Sequence, residues 1–136
     1  MAYDSARDRT VLFGGLTSFS DEDTTWEWDG ATWQAQHPAT SPPPRHGHAL
    51  VYDSALRTTL MFGGLDAFFT PMDLWAWDGT NWAQIPSVNA PLTRERFATT
   101  YDPGRDRVVV FGGFTDLDGL LNDIWEWDGT RGLRAR

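Results

Sequence analysis

Phe62-Gly63-Gly64, a spacer, then Trp75-Ala76-Trp77-Asp78-Gly79 is the stretch whose reading decides the fold, because the chain writes it three times. The first copy is Phe13-Gly14-Gly15 with Trp26-Glu27-Trp28-Asp29-Gly30. The third is Phe111-Gly112-Gly113 with Trp125-Glu126-Trp127-Asp128-Gly129. Phe13, Phe62 and Phe111 stand 49 positions apart, and so do Tyr3-Asp4, Tyr52-Asp53 and Tyr101-Asp102. Only the last spacer is longer, with 50 positions from Trp77 to Trp127. A fixed period of this size signals a repeat architecture.

The middle copy is complete and predicts the elements of the others. Arg45 to Tyr52 reads as a strand with a polar start. Asp53-Ser54-Ala55-Leu56-Arg57 reads as a turn, since Asp and Ser side chains bond back to nearby backbone. Thr58 to Phe62 is a β-rich run, apolar on both faces, as in a strand buried on both sides. Gly63-Gly64 is expected to close it, with Gly63 and Gly112 intolerant of a side chain and Gly119 tolerant. Asp73 to Trp77 is a third strand with both Trp on one face by the period of two. Asp78-Gly79 is a hairpin signal, and Trp82 begins a fourth strand. Each repeat is thus four short strands joined by tight turns.

The bulk numbers set outer bounds. A chain of 136 residues makes one ordinary domain, and its eight Trp are large apolar loads that need burial. A net charge of -8 argues against nucleic acid and anionic membrane surfaces, both of which attract basic patches. Without cysteine there is no disulfide framework and no thiol chemistry. No apolar run approaches the roughly 18 residues of a membrane span, and no signal peptide is visible.

The order Arg-x-x-His-Ala, Tyr-Asp, apolar run, Gly-Gly, Trp-x-Trp-Asp-Gly-x-x-Trp resembles the kelch repeat, one blade of a β-propeller. The resemblance covers nearly the whole chain and implies a fold rather than an activity. It implies an all-β partial β-propeller of three four-stranded antiparallel blades. Blade 1 spans 1–36 and lacks its innermost strand, because Met1-Ala2-Tyr3-Asp4 aligns with Leu50-Val51-Tyr52-Asp53. Blade 2, complete, spans 37–85. Blade 3 spans 86–130 and lacks its outermost strand, because Gly132 stands where Trp33 and Trp82 predict Trp; 131–136 is an off-pattern tail. Propellers have about 4–8 blades. The expectation is therefore a piece of a longer propeller; a short protein that closes by assembling with its own copies is the alternative. Unpaired edges and uncovered end faces predict self-association or aggregation of the isolated chain.

Strand direction sorts the loops. The first-to-second and third-to-fourth turns lie at one end and are nearly constant among the repeats. The second-to-third loops and the connectors lie at the other end and vary. Binding residues favour variable loops on a rigid scaffold, although such loops also simply tolerate change. The candidates there are Asp21, Glu22 and Asp23, then Phe68 and Phe69, then Asp116 and Asp118. Phe68-Phe69 reads as a cap on the neighbouring blade or as a partner anchor. Asp116-x-Asp118-Gly119 opens like a calcium loop but lacks the remaining ligands.

His46 and His48 share a strand face, a geometry compatible with a metal, but the next repeat has Glu95 and Phe97 there, which marks His48 as a packing position. No metal or cofactor is expected. Innermost strands in the resembled family border an axial channel, which makes Arg45, His46, Arg94 and Glu95 candidate channel-lining residues, with bonding to neighbouring backbone as the structural role of the two Arg. Glu27 and Glu126 read as isolated acids opposite the Trp pairs. No nucleophile or oriented base accompanies them, so no catalysis is expected. Cross-linked copper-tyrosine chemistry needs a Cys that the chain lacks, and a sialidase-type Asp-box fails because Trp28 holds its Asp position. The resulting expectation is a non-catalytic scaffold that binds protein or glycan through the variable loops. The alternative is a wall of a larger propeller enzyme whose catalytic residues lie elsewhere. The repeat style resembles bacterial kelch proteins, many of them exported, which implies an extracellular or cell-envelope setting.

Overall fold

The structure, a computed structural model, describes residues 1–65, 73–86 and 89–130, and the backbone of 132–134. The twelve strands form three four-stranded antiparallel sheets, with no helix among the described residues. Sheet I takes β1 (Ala2–Asp4), β2 (Arg9–Leu16), β3 (Asp21–Trp28) and β4 (Trp33–Gln36). Sheet II takes β5 (Ala49–Asp53), β6 (Thr58–Phe62), β7 (Leu74–Trp77) and β8 (Trp82–Ile85). Sheet III takes β9 (Ala98–Asp102), β10 (Arg107–Thr115), β11 (Gly119–Trp127) and β12 (Gly132–Arg134). Within each sheet, sequence neighbours are sheet neighbours.

The turns form as their chemistry dictates. Asp4 Oδ1 accepts from the amides of Ala6 and Arg7. Asp53 does the same with Ala55 and Leu56, and Asp102 with Gly104 and Arg105. Each of these caps reverses the chain between first and second strands. At the third-to-fourth turns Asp29 Oδ1 accepts from Ala31 and Thr32, and Asp78 Oδ1 from Thr80 and Asn81. An Asx turn needs only a short side chain two or three residues from its donors, so it forms locally.

Period-two alternation divides the middle sheet between two cores. Leu50, Met61, Trp75, Trp77 and Trp82 pack with Val11 and Phe13 of sheet I. Val51, Leu60, Phe62 and Leu74 pack with Val108, Val110 and Trp127 of sheet III. Sheet II is thus buried on both faces, which is why its second strand reads apolar throughout.

Three expectations are corrected. First, sheet III has its fourth strand: Gly132, Leu133 and Arg134 pair with Trp127, Glu126 and Trp125. Strand pairing runs through the backbone, so the missing Trp removes packing, not the strand. Second, sheet I has a short first strand, with Ala2, Tyr3 and Asp4 opposite Val11, Thr10 and Arg9. Third, the Gly-Gly pairs do not end strands β2 and β10. Both strands run on through a bulge, at Gly14 and at Gly112, and only β6 stops at Phe62. Gly112 takes φ +64, and a Cβ there would sit 3.0 Å from the Leu121 carbonyl oxygen, so a side chain is strained there and tight against backbone. Gly119 has open space around it but φ +72, so a β-branched residue is strained there too, contrary to the expected tolerance.

Candidate functional site

The variable end of the sheets is built on two copies of one clip. Arg45 is 2% exposed and reaches across sheet II. Its Nη1 donates to the Gly63 carbonyl at 3.0 Å and to Asp73, and its Nη2 donates to Asp73 at 2.9 Å. Arg94, equally buried, donates from Nη1 to the Gly112 carbonyl at 2.9 Å and holds both oxygens of Asp123 at 2.6 and 3.1 Å. Each Asp also accepts an indole N–H, from Trp75 at 2.6 Å or Trp125 at 2.7 Å. The bond from Arg94 holds the Asp123 carboxyl at about 2, well below the usual carboxylate range. The clip ties the glycine-pair segment after the second strand to the third strand, at Asp73 just before β7 and at Asp123 within β11. Both guanidiniums are committed to it and buried, each 2% exposed. The expected bonding to backbone is present, and the carboxylate partners are the part the sequence did not announce.

Just beyond the clips, the two connectors meet the start of β3. His46 Nδ1 stands 2.6 Å from Asp21 Oδ1, and His46 Nε2 stands 3.9 Å from Glu95 Oε2. Glu95 is 7% exposed; its Oε2 is buried without a hydrogen-bond partner, with Arg96 Nε at 3.5 Å as a further charged neighbour. His46 and Glu95 occupy equivalent positions, and each bridges to the residue after the glycine pair of its own repeat, Leu65 and Phe114. The line Asp21–His46–Glu95 therefore runs across all three sheets. The imidazole nitrogen not held by Asp21 looks at a second carboxylate rather than at a hydroxyl.

A cavity of about 240 Å³ opens beside Glu95, between the loop ends of sheets II and III. Leu65, Leu92, Phe114 and Leu117 give it apolar walls; Thr93, Glu95, Thr115 and Asp116 supply polar groups. Asp116 and Asp118 sit in the tight hairpin after β10, where Thr115 Oγ1 accepts the Asp118 amide at 2.9 Å. Of this pair, only Asp116 lines the cavity. The acidic run Asp21-Glu22-Asp23 is not a loop tip: it opens β3, with Asp21 opposite Leu16 and Glu22 opposite Gly15. The tip is the turn Thr17–Ser20, closed by Thr17 N–H to the Ser20 carbonyl at 2.9 Å. Phe68 and Phe69 lie outside the described residues. Among the described residues no group of three or more His, Asp or Glu is placed to hold a metal ion, and no helix is long and apolar enough to cross a membrane.

Sequence reasoning missed two exposed apolar tips, Phe19 at 98% and Leu117 at 90% exposure. Their signal was available: each is an apolar residue between a glycine pair and an acid, where a hairpin tip is expected to be polar.

His48 is the packing residue its swap with Phe97 implied. Its ring meets Phe13 edge-on, centroids 5.7 Å apart. Burial lowers its pKa to about 4, and the chain's N-terminal amine and Arg45 push the same way. The folded pKa lies below the unfolded one, so between pH 6.5 and about 4 the unfolded chain binds a proton that the folded chain refuses. Stability then falls as pH falls through that window and is fully present above it. His48→Phe is expected to flatten this part of a plot of urea midpoint against pH; an unchanged slope would rule His48 out as its source.

No protein-family model matches the chain, and no curated protein matches it significantly.

Proposed function

We propose that the chain is a partial propeller of kelch-type repeats and acts as a non-catalytic scaffold that binds protein or carbohydrate at its variable end. The observation that carries this reading is the cavity between the loop ends of sheets II and III. Concave, mostly apolar sites with a few convergent polar groups are where ligands settle. Phe114 offers an aromatic surface for the C–H face of a sugar or for an apolar side chain, while Glu95 and Asp116 accept from hydroxyl or amino groups. The exposed tip Leu117 extends this surface outward and suits a protein partner. The repeat pattern and the three stacked antiparallel sheets support the propeller part of the reading.

An array of immobilised glycans and peptides probed with the full chain tests it. The expected result is a bound ligand lost in Asp116→Ala and weakened in Leu117→Ala, yet retained in Asp29→Ala at the opposite end. Binding indifferent to the two cavity variants, or no bound ligand on either array, would overturn the reading.

A further inference from the structure

The contact between sheets I and II is a template whose two halves recur, unpaired, on the outer faces of the chain. On the sheet I side, Glu27 Oε1 accepts the Trp77 indole N–H at 2.7 Å. Arg7 holds the same Glu27 oxygen at 2.7 Å, is itself held by Asp4 at 2.7 Å, and lies flat against Gly79. A Cβ at Gly79 would come within 2.6 Å of the Arg7 guanidinium, so the glycine is the seat that this arginine fills. The sheet II side supplies Trp77, the Asp78-Gly79 turn and Trp82, whose indole N–H donates to Thr25 Oγ1 at 2.8 Å; in sheet III Ile124 stands at the Thr25 position, so this second bond has no counterpart there.

The outer face of sheet III carries the first half again. Asp102 holds Arg105 at 2.7 Å, and Arg105 holds Glu126 at 2.8 Å, in the same order and register as Asp4, Arg7 and Glu27. Phe111, equivalent to the buried Phe13, is 51% exposed there. The outer face of sheet I carries the second half. Trp28 stands at the Trp77 position, its ring tilted against that of Trp33 with centroids 5.6 Å apart, and no acceptor meets its indole N–H among the described residues. Gly30 stands at the Gly79 position, with nothing within 4 Å of a Cβ placed on it. Trp26 and Trp33 on the same face are 37% and 43% exposed.

The contact between sheets II and III shows what happens when a half is missing. Ala76 replaces the glutamate, Leu56 replaces the arginine, and Trp127 Nε1 is buried without a partner. The acceptor at Glu126 is therefore not a by-product of the repeat, since the middle repeat dispenses with it. Glu126 is pre-held by Arg105 on a face that has no indole to receive.

We propose that the chain associates head to tail with a second copy of itself, the outer face of sheet III on one copy docking on the outer face of sheet I on the next. Glu126 accepts the Trp28 indole N–H of the second copy, and Arg105 fills the open seat at Gly30. The contact is heterologous, so it leaves one face of each kind free at the ends and propagates to a closed ring or an open filament.

The absence of cysteine makes a clean test. Cysteines are placed beside the proposed bond, at Gly104 and Tyr3, which stand where Ala6 and Tyr52 meet between sheets I and II. Full-length Gly104→Cys and Tyr3→Cys chains, with Glu126 and Trp28 intact, are mixed and treated with a short bismaleimide, and linked peptides are mapped by mass. The expected product joins 104 to 3. Links joining only 3 to 3 or 104 to 104, or no link, would overturn the proposal. In sedimentation equilibrium the unsubstituted chain is expected to gain mass with concentration. Trp28→Phe keeps the ring and loses only the N–H; it is expected to weaken association by roughly tenfold or more, the worth of a hydrogen bond to a charged group. Circular dichroism of each variant at monomer concentration checks that it folds. A chain that stays monomeric at all concentrations, or a Trp28→Phe variant that associates as tightly as the original, would each sink it.

Discussion

Trp77→Ala is expected to unfold most of the molecule at denaturant concentrations that leave the parent chain native. Trp77 is fully buried, its ring 5.5 Å from that of Trp82, in the core shared by sheets I and II. Truncating a buried Trp costs about 3–5 kcal/mol. The same change takes the indole donor away from Glu27, a carboxylate only 7% exposed, and leaves it with Arg7 alone. Against a total stability of about 5–15 kcal/mol, the loss is a large part of the whole. Trp77→Phe separates the two contributions, because it keeps most of the apolar area and removes the donor; its expected cost is about 1–3 kcal/mol. Trp26→Ala, at a position 37% exposed on the outer face of sheet I, should cost far less. The measurement is the urea midpoint by circular dichroism, taken at one low protein concentration so that self-association does not enter. Equal midpoints for Trp77→Ala and the parent would refute the two-core packing of sheet II.

What the sequence made legible were the features that act over a few residues. The Asp4, Asp53 and Asp102 turns each bond to amides two and three residues ahead, so composition alone locates them. Strand faces follow from alternation, and so Trp75 and Trp77 on one side of β7, with Leu74 on the other, could be read directly. What stayed hidden joins distant positions. Arg45 and Asp73 are 28 residues apart, and nothing local to either says that they meet. Glu27 looked like an isolated acid because its indole partner is 50 positions away on another sheet. β12 was hidden for a different reason: the pattern tracked a Trp side chain, while the strand is held by backbone. The acidic run at Asp21 was misplaced because the glycine bulge lets β2 continue to Leu16 and shortens the loop. The cavity beside Glu95 is assembled from one connector, the segment after β6 and the hairpin after β10, so no single stretch could announce it.

The other large effect lies in the Arg94 clip, and it is expected to be asymmetric. Asp123→Ala leaves a guanidinium that is 2% exposed, holding backbone carbonyls at Gly112 and Leu92 but no counter-charge. Removing one partner of a buried ion pair costs about 3–5 kcal/mol, because the charge left behind has neither water nor its partner. The change also strips the acceptor from the Trp125 indole. Replacing both partners, as Arg94→Met with Asp123→Leu, removes the stranded charge and is expected to recover a substantial part of the loss. If the double variant were no more stable than Asp123→Ala, the cost would lie in the geometry that the clip imposes on the glycine bulge and not in the charge. The pH dependence follows from the lowered carboxyl of Asp123. The folded value is about 2 and the ordinary one 3.8, so the stabilisation is fully present above the ordinary value and disappears as pH falls through the folded one. In the parent chain, the drop of urea midpoint between pH 4 and pH 2 should therefore be steeper than in Asp123→Asn, which cannot titrate. This window lies below that of His48, so the two groups can be told apart in one titration: His48→Phe flattens the upper part of the curve and Asp123→Asn the lower. Identical acid limbs for Asp123→Asn and the parent would show that the Arg94 pair contributes nothing to acid unfolding.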